Sequence, residues 1–550
     1  VSVPPPPGGL HFPLALPREQ WRQSSSFGED RGSHLHGGVD FSTGGKVGVP
    51  VLAVADGQVT RIKVRWRGLG RAIYVQHADG LMTVSGHLDG FAEPIASWVD
   101  AQLAKKGPFP GDLWPDPPFP VKAGEVIAYS GETGGGPPHL HFETRRSGGN
   151  RPVDPYDEGL ACPDVDPPKI AAVAALPRDG GPAVVVHAPT LPDRPWETLM
   201  VPPGARLAAR VEDPLGAGTG GPRRLVARLQ SGEVSDELLR LDFGGFTFKE
   251  AKRSGHVHVR DEAVDPRQPC RGCWFWLHDL PGNDMKAVAG LADLPAGWPE
   301  RATETTLHVE ATDGAGLSEQ VVVPLRSGHP RRGRRRMPAP RCLSLQVSVP
   351  SGALAEDLTL TCETLAGARL PHGVTPVGYP MKVGPAWAAL QKEVVIQFPK
   401  PKQLPEGELG VYRFDARNGS WVYWGGVPDA RGLIGATTDR LGTYALGADR
   451  SPPKVEEWGR RRRPPTPWRA ASDEILVRYS ESGEGLGWDA IVLELEDDRR
   501  LTAEIDPDRS EAVVRLPASE LRRRVVGRLV LTDRAGLVTS VEVDAPAGGG

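Results

Sequence analysis

Nothing in this chain is apolar for long enough to cross a bilayer as a helix. Charge of one sign is also missing: 65 Lys and Arg stand against 69 Asp and Glu, a formal net charge of -4, so there is no global pull toward nucleic acid. Cysteine is scarce, with 5 in 550 residues, and an odd count leaves one unpaired in any complete disulfide scheme. No positively charged start leads into an apolar run, so any signal peptide is expected to lie outside this sequence or to have been removed already. What is abundant is glycine (67) and proline (56), which points to many turns and linkers rather than long helices. At 550 residues the chain is too long for one core, and three to five domains are expected.

The first 150 residues hold short β-branched runs closed by turn signals. Val51-Leu52-Ala53-Val54 runs into Asp56-Gly57, Ala72-Ile73-Tyr74-Val75 into Asp79-Gly80, and Val126-Ile127-Ala128-Tyr129 into Ser130-Gly131. Asp-Gly pairs between such runs are hairpin signals, so an antiparallel β domain is expected. Three segments bring histidine to it: His36-Gly37-Gly38-Val39-Asp40, Gly86-His87-Leu88 and His139-Leu140-His141-Phe142-Glu143. Residues two apart on a strand share a face, so His139 and His141 present both imidazoles to one site. Two neutral histidines and a carboxylate would leave a bound zinc ion net positive charge and one open position.

These segments, in this order, resemble the M23 family of zinc metallopeptidases, the lysostaphin-like enzymes that cut peptides in bacterial cell walls. Phe27-Gly28 with Arg31, His36 with Asp40, Val49-Pro50-Val51, Ala55-Asp56-Gly57-Gln58-Val59, Gly86-His87-Leu88, the run Val121 to Ile127, and His139 to Glu143 carry the resemblance over roughly residues 20 to 150. It implies that His36, Asp40 and His141 bind Zn2+ and that His87 and His139 are unligated catalytic residues. His139 is then the candidate general base, and His87 the candidate donor to the developing oxyanion. His34-Leu35-His36 is itself an H-x-H, so His34 competes with His36 in register; the spacing to Asp40 favours His36.

The chain departs from the family pattern twice. Ser85 stands where an aromatic residue, often tyrosine, usually precedes the third histidine, and a long insert separates Leu88 from Val121. Within the insert, Ile95, Trp98, Val99 and Leu103 have helical spacing on one face. Pro108, Pro110, Pro115, Pro117, Pro118 and Pro120 then suggest a stiff, irregular loop. The insert is expected either to pack beside the sheet or to wall the substrate groove.

Two later segments open and close alike. Asp166-Pro167-Pro168-Lys169-Ile170 and Ser451-Pro452-Pro453-Lys454-Val455 begin them; Thr312-Asp313-Gly314-Ala315-Gly316-Leu317 and Thr532-Asp533-Arg534-Ala535-Gly536-Leu537 precede their last strands. A repeated domain is expected. It resembles bacterial immunoglobulin-like modules, with loops inserted into the first copy between Pro202 and Glu300. Residues 340 to 448 resemble a ZU5-type β domain; its Trp421, Tyr423 and Trp424 are expected to pack rather than to bind glycans. Cys270-Arg271-Gly272-Cys273 lacks a second C-x-x-C to complete a metal knuckle and is expected to form a tight disulfide if the protein is exported, with two inert thiols as the alternative, and Cys342 and Cys362 are a further candidate pair. Arg331 to Arg336, broken by Gly333, and Arg460 to Arg463 adjoin prolines and read as exposed linkers or loops, with attraction to anionic wall polymers or lipid headgroups as the alternative.

The expected protein is all-β and multidomain: an M23-like peptidase domain (1–160), an immunoglobulin-like domain with inserted loops (165–328), a ZU5-like domain (340–448) and a second immunoglobulin-like domain (451–547). It would hydrolyse peptide bonds in peptidoglycan stems or cross-bridges in the periplasm, at the cell surface or outside the cell. Its partners would be peptidoglycan peptides and envelope glycans or anionic polymers, with no nucleic acid. The rivals are a catalytically weak M23-like platform that binds wall or activates another hydrolase, and a surface adhesion protein.

Overall fold

The computed structural model describes residues 9–547 apart from short stretches, the longest of them 329–344. It is built almost entirely of antiparallel sheets, as an all-β multidomain chain requires. The N-terminal part holds twelve strands: β1 (Gln23–Ser25), β2 (Val39–Ser42), β3 (Pro50–Leu52), β4 (Gly57–Val64), β5 (Arg71–Gln76), β6 (Met82–Gly86), β7 (Leu88–Phe91), β8 (Gly111–Leu113), β9 (Phe119–Val121), β10 (Val126–Ser130), β11 (His139–Arg146) and β12 (Arg151–Val153). The main sheet runs β1-β2-β11-β6-β5-β4-β8, with β12 on β11 and β9 on β4; a smaller sheet runs β3-β10-β7.

Alternation along the strands decides which side chains reach the site. On β11, Leu140 and Phe142 enter the apolar core, and on β2 Val39 and Phe41 do the same. All four are at most 1% exposed, each burial contributing roughly 1.5–3 kcal/mol. His139, His141, Glu143 and Asp40 are therefore left on the opposite face. Register then aligns them: His141 stands opposite Asp40 on one side and Gly86 on the other. Gly38 is required here, because a Cβ would lie 2.3 Å from the Phe142 carbonyl oxygen and 2.8 Å from Glu143 Cγ. Only a residue without a side chain lets the segment from His36 to Asp40 lie this close to β11.

The insert packs beside the sheet. Helix α1 (Ile95–Lys106) buries Ile95 and Val99 in the core, with Trp98 and Leu103 packed against it. The proline-rich remainder is not the irregular loop its composition suggests, since it contributes β8 and β9, both paired to β4. These are edge strands, where proline costs no ladder hydrogen bond on the open side. Trp114, 64% exposed, follows β8 and lines the cleft described below.

Beyond residue 165 the sheets come in pairs. Five and six strands lie between Lys169 and Ser327, four and five between Gln346 and Asp449, and two sets of four between Lys454 and Ala545. The closing hairpin repeats as expected, with Thr312 opposite Ser318 and Thr532 opposite Val538. The stretch from Pro202 to Glu300 is less an insertion than the sequence suggests, because Arg206–Pro214, Arg224–Ser231 and Val234–Asp242 are strands of the two sheets. Most buried apolar residues between Ile170 and Leu325 share one core with the N-terminal part, a separate cluster around Trp274 and Trp276 packs with Trp387, and residues 475 to 545 have a core of their own.

Several sequence expectations change. Arg460 to Arg463 belong to the strand Lys454–Arg463 rather than to a linker; the Arg460 side chain is buried against Asp473 at 2.5 Å, while Arg461 and Arg462 are exposed as expected. Arg331 to Arg336 lie outside the described residues. Trp421 and Tyr423 are half-buried rather than in the core, with Trp421 packed on Phe414 at 5.3 Å between ring centroids. Cys273 and Cys362 are disulfide-bonded, while Cys270 and Cys342 lie outside the described residues. Among the described residues Cys162 is a free thiol, its pKa pushed up to about 12 by burial.

Candidate active site

His36, Asp40 and His141 converge, each offering a ligand atom within 4.8 Å of the other two. His36 Nε2 is 2.9 Å from His141 Nδ1, and Asp40 Oδ1 lies 3.2 Å from the first and 2.9 Å from the second. The outer atoms of all three are already engaged. His36 Nδ1–H donates to the Ser26 carbonyl at 2.8 Å, and His141 Nε2–H donates to Glu143 Oε1 at 2.9 Å. Arg31 donates to Asp40 Oδ2 at 2.6 Å and to Ser25 Oγ at 2.7 Å. Two imidazole lone pairs and one carboxylate oxygen are thus turned toward a single point, the orientation that partners outside a metal shell impose on ligands. His36 rather than His34 makes this convergence, and His34 is exposed at the cleft rim.

Electrostatics agree with the geometry. Burial alone would raise the Asp40 carboxyl, but His36 and His141 hold it well below the usual carboxylate range. Burial would lower His141, yet its hydrogen bonds to Asp40 and Glu143 raise it to about 9. Glu143, which burial would raise, is brought to about 2 by Arg145 and His141. The two carboxylates, Asp40 and Glu143, thus favour positive charge at His141.

His87 and His139 flank it, their ring centroids 4.5 Å apart, with His87 5.8 Å from His141. Each is tied through Nδ1–H to a backbone carbonyl, His87 to Thr133 at 2.8 Å and His139 to Pro137 at 2.7 Å, so each turns Nε2 outward. His139 Nε2 is 3.9 Å from Asp40 Oδ1. Burial lowers both, His87 to about 3. His87 also has φ +59, a left-handed backbone rare for a residue with a side chain, and such strain is held only where surroundings over-determine it.

The five residues open onto a cleft of about 1950 Å³ whose walls include Arg61, Lys63, Tyr74 and Trp114 from the N-terminal part, Phe246 and Phe248, and Leu390 to Glu393 from the turn before the strand Val394–Pro399. Sequence reading missed Tyr74, which lines the cleft with Arg61 stacked 4.4 Å from its ring centroid, while Ser85 stands opposite the core residue Phe142. It also missed the outer partners: the Ser26 and Thr133 carbonyls carry no residue-type signal, though Glu143 and Arg145 were visible at the spacing of one strand face. Loops and a short helix from later in the chain hold the site loops. Leu35 N–H donates to the Ala251 carbonyl, Phe27 stacks on Phe246, and Arg440 donates to the Gly32 carbonyl. Arg509 reaches Glu132, next to the Thr133 that holds His87.

Residues 34–101 match the model of the family described as Peptidase family M23. The DD-carboxypeptidase/endopeptidase Mpg of Neisseria meningitidis serogroup B is 34% identical over 142 residues, 26% of this chain and 26% of that protein. The NlpD/LppB lipoprotein homolog of Pseudomonas aeruginosa is 31% identical over 121 residues, 22% of this chain and 32% of its own length. The catalytic domain of the prophage-encoded M23 protein EnpA of Enterococcus faecalis aligns with 27% of this chain and 96% of that domain, at 23% identity and a TM-score of 0.20. The N-terminal part of the chain carries an M23 peptidase family domain. The chain matches only about a quarter to a third of the length of these curated relatives.

Proposed function

We propose that the chain is a zinc-dependent endopeptidase that hydrolyses peptide bonds in peptidoglycan stems or cross-bridges at the cell envelope. The observation that carries the reading is the convergence of His36 Nε2, His141 Nδ1 and Asp40 Oδ1. Two imidazole lone pairs 2.9 Å apart repel unless a proton or a cation lies between them, and the donor set suits Zn2+. His36, Asp40 and His141 would hold that ion. When bound, it supplies a water of lowered pKa and a Lewis acid for the scissile carbonyl.

The rest of the chemistry falls to side chains. His139 accepts the water's proton at Nε2, since its Nδ1–H is committed to Pro137, and returns it to the leaving amine. His87 is fixed in the same sense by Thr133, so a neutral His87 is an acceptor and donates to an oxyanion only after taking a proton. The two rings therefore act as a proton-handling pair rather than as a base and a standing oxyanion donor. Lys63 and aromatic Trp114 along the cleft, beside an Arg61 that is paired with Asp112, suit an extended peptide bearing carboxylates. Mpg, a DD-carboxypeptidase/endopeptidase by name, supports the substrate class. We read residues 165–328 and 451–547 as immunoglobulin-like and 340–448 as ZU5-like modules that hold the site loops and wall the cleft. No helix among the described residues is long and apolar enough to cross a membrane, and action on wall peptides implies export.

Purified peptidoglycan incubated with the zinc-loaded chain should release fragments with new peptide ends, read by mass spectrometry. His36→Ala and His141→Ala should lose both the bound zinc equivalent and the cleavage. Wall left intact by zinc-loaded protein would overturn the enzymatic reading in favour of a binding platform.

A further inference from the structure

The repeated sequence elements hold a second kind of site. Asp164, Asp213 and Asp313 bring carboxylate oxygens within 4.8 Å of one another, and so do Asp449, Glu481 and Asp533. The two groups are equivalent by position. Asp164 and Asp449 each stand five residues before the lysine that opens a module's first strand. That lysine, Lys169 or Lys454, pairs with Glu212 or Ser480, the residue just before Asp213 or Glu481. Asp313 and Asp533 occupy the same place in the closing hairpin.

The local hydrogen bonding repeats as well. Asp164 Oδ1 accepts from Asp166 N–H and Asp449 Oδ1 from Ser451 N–H. Asp313 Oδ1 accepts from Leu317 N–H and Asp533 Oδ1 from Leu537 N–H, both at 2.8 Å. The other oxygens are the unusual feature. Asp213 Oδ1, Asp313 Oδ2 and Asp533 Oδ2 are buried with no hydrogen-bond partner among the described residues, on side chains only 2%, 2% and 5% exposed. No Lys, Arg or His pairs with Asp164, Asp213 or Asp313 among the described residues. A buried carboxylate oxygen without a donor costs free energy, and three carboxylates at this separation repel; a cation removes both penalties.

We propose that each acidic trio binds one Ca2+ ion. An all-oxygen, wholly carboxylate donor set selects a hard cation of high coordination number, in contrast to the nitrogen-rich cleft. Both trios lie where one module meets the next: Asp164 precedes the first strand after the N-terminal part, and Asp449 ends the last strand before the fourth module. The small cavity beside Asp164 and Asp213 is lined also by Ser26 and Phe27, on the loop whose Ser26 carbonyl orients His36. Calcium would therefore stiffen both junctions, and the first would steady the active-site loop.

Calorimetric titration of the full, calcium-free chain with CaCl2 should give two equivalents. Asp213→Asn and Asp533→Asn should each bind one and the double variant none, while calcium raises the melting temperature of the parent by several degrees and of the double variant not at all. Each substitution keeps side-chain shape and removes a like charge, so the calcium-free variants should melt no lower than the parent. If Asp213→Asn fails to fold, Asp164→Asn, at a less buried position, replaces it. No calcium uptake by the parent, or two equivalents retained in both single variants, would overturn the assignment. Neither result bears on zinc or on wall cleavage, which are read separately.

Discussion

His141 and His278 are both withdrawn from water, at 6% and 0% exposure, yet their pKa values are pushed in opposite directions. Burial drives His278 down to about 3, and the nearby Arg206 guanidinium adds to the shift. In the cleft the same burial is outweighed by Asp40 and Glu143, which raise His141 to about 9. The lesson concerns what an imidazole is ready to bind. A histidine buried without a carboxylate hydrogen-bonded to it is held toward the neutral form, whereas one flanked by carboxylates sits in a field that wants a cation, either a proton or a metal ion. The proton and the metal compete for the same Nδ1 lone pair, so metal binding should release protons and weaken as pH falls. His87 and His139 are lowered by burial as His278 is, His87 to about 3, although Asp40 opposes the shift in both.

The comparison breaks most severely if a neutral, unligated histidine proves dispensable. His139→Ala should keep zinc and the fold yet lose about 10²-fold to 10⁴-fold in turnover on peptidoglycan, the usual scale for removing a positioned proton acceptor. His87→Ala should lose on the same scale, and the double variant less than the product, because the two rings handle one proton. Turnover by His139→Ala equal to the parent's would remove it from the reaction.

A smaller effect tests the carboxylate side. Glu143→Gln keeps an acceptor for His141 Nε2–H but removes the charge that Arg145 and His141 stabilise. Zinc affinity should fall by about 10-fold to 100-fold, the range for partners that orient a ligand, while saturating zinc restores most of the activity. A competitive chelator titration gives the constant directly. Unchanged affinity would mean that Asp40 alone sets the field at His141.

Much of this was legible in the sequence because it is carried by residue type and spacing. Alternation of His139, His141 and Glu143 with Leu140 and Phe142 gives one polar and one apolar face, and Asp-Gly turns mark the hairpins. The spacing from His36 to Asp40 selected His36 over His34. Less legible was anything made by backbone or by distant packing. The carbonyls that orient His36, His87 and His139 belong to Ser26, Thr133 and Pro137, whose side-chain types say nothing of that role. The proline-rich insert reads as a loop by composition, and only pairing to β4 makes it an edge. Arg460 looks like part of a solvated basic run until Asp473 meets it across the sheet. The repeated Asp-x-Ala-Gly turn was visible as a repeat; that its aspartate joins two other carboxylates depends on register between strands far apart in sequence.

The smallest effect concerns the other member of the pair, His278, and appears as a slope against pH. Its folded pKa of about 3 lies below the unfolded value of about 6.5. The unfolded chain therefore takes up a proton first as pH falls. The contribution is fully present above pH 6.5 and is lost as pH drops toward 3, by up to about 1.4 kcal/mol per pH unit. His278→Leu removes the titrating group, and whatever it does to stability at pH 7.5, its urea midpoint should decline less steeply than the parent's between pH 6.5 and 4. The cleft histidines complicate the parent curve, so both proteins are compared in the His36→Ala background, where the difference between slopes isolates His278. Identical slopes would mean that His278 is not held neutral in the folded protein, and the contrast between the two buried histidines would rest on His141 alone.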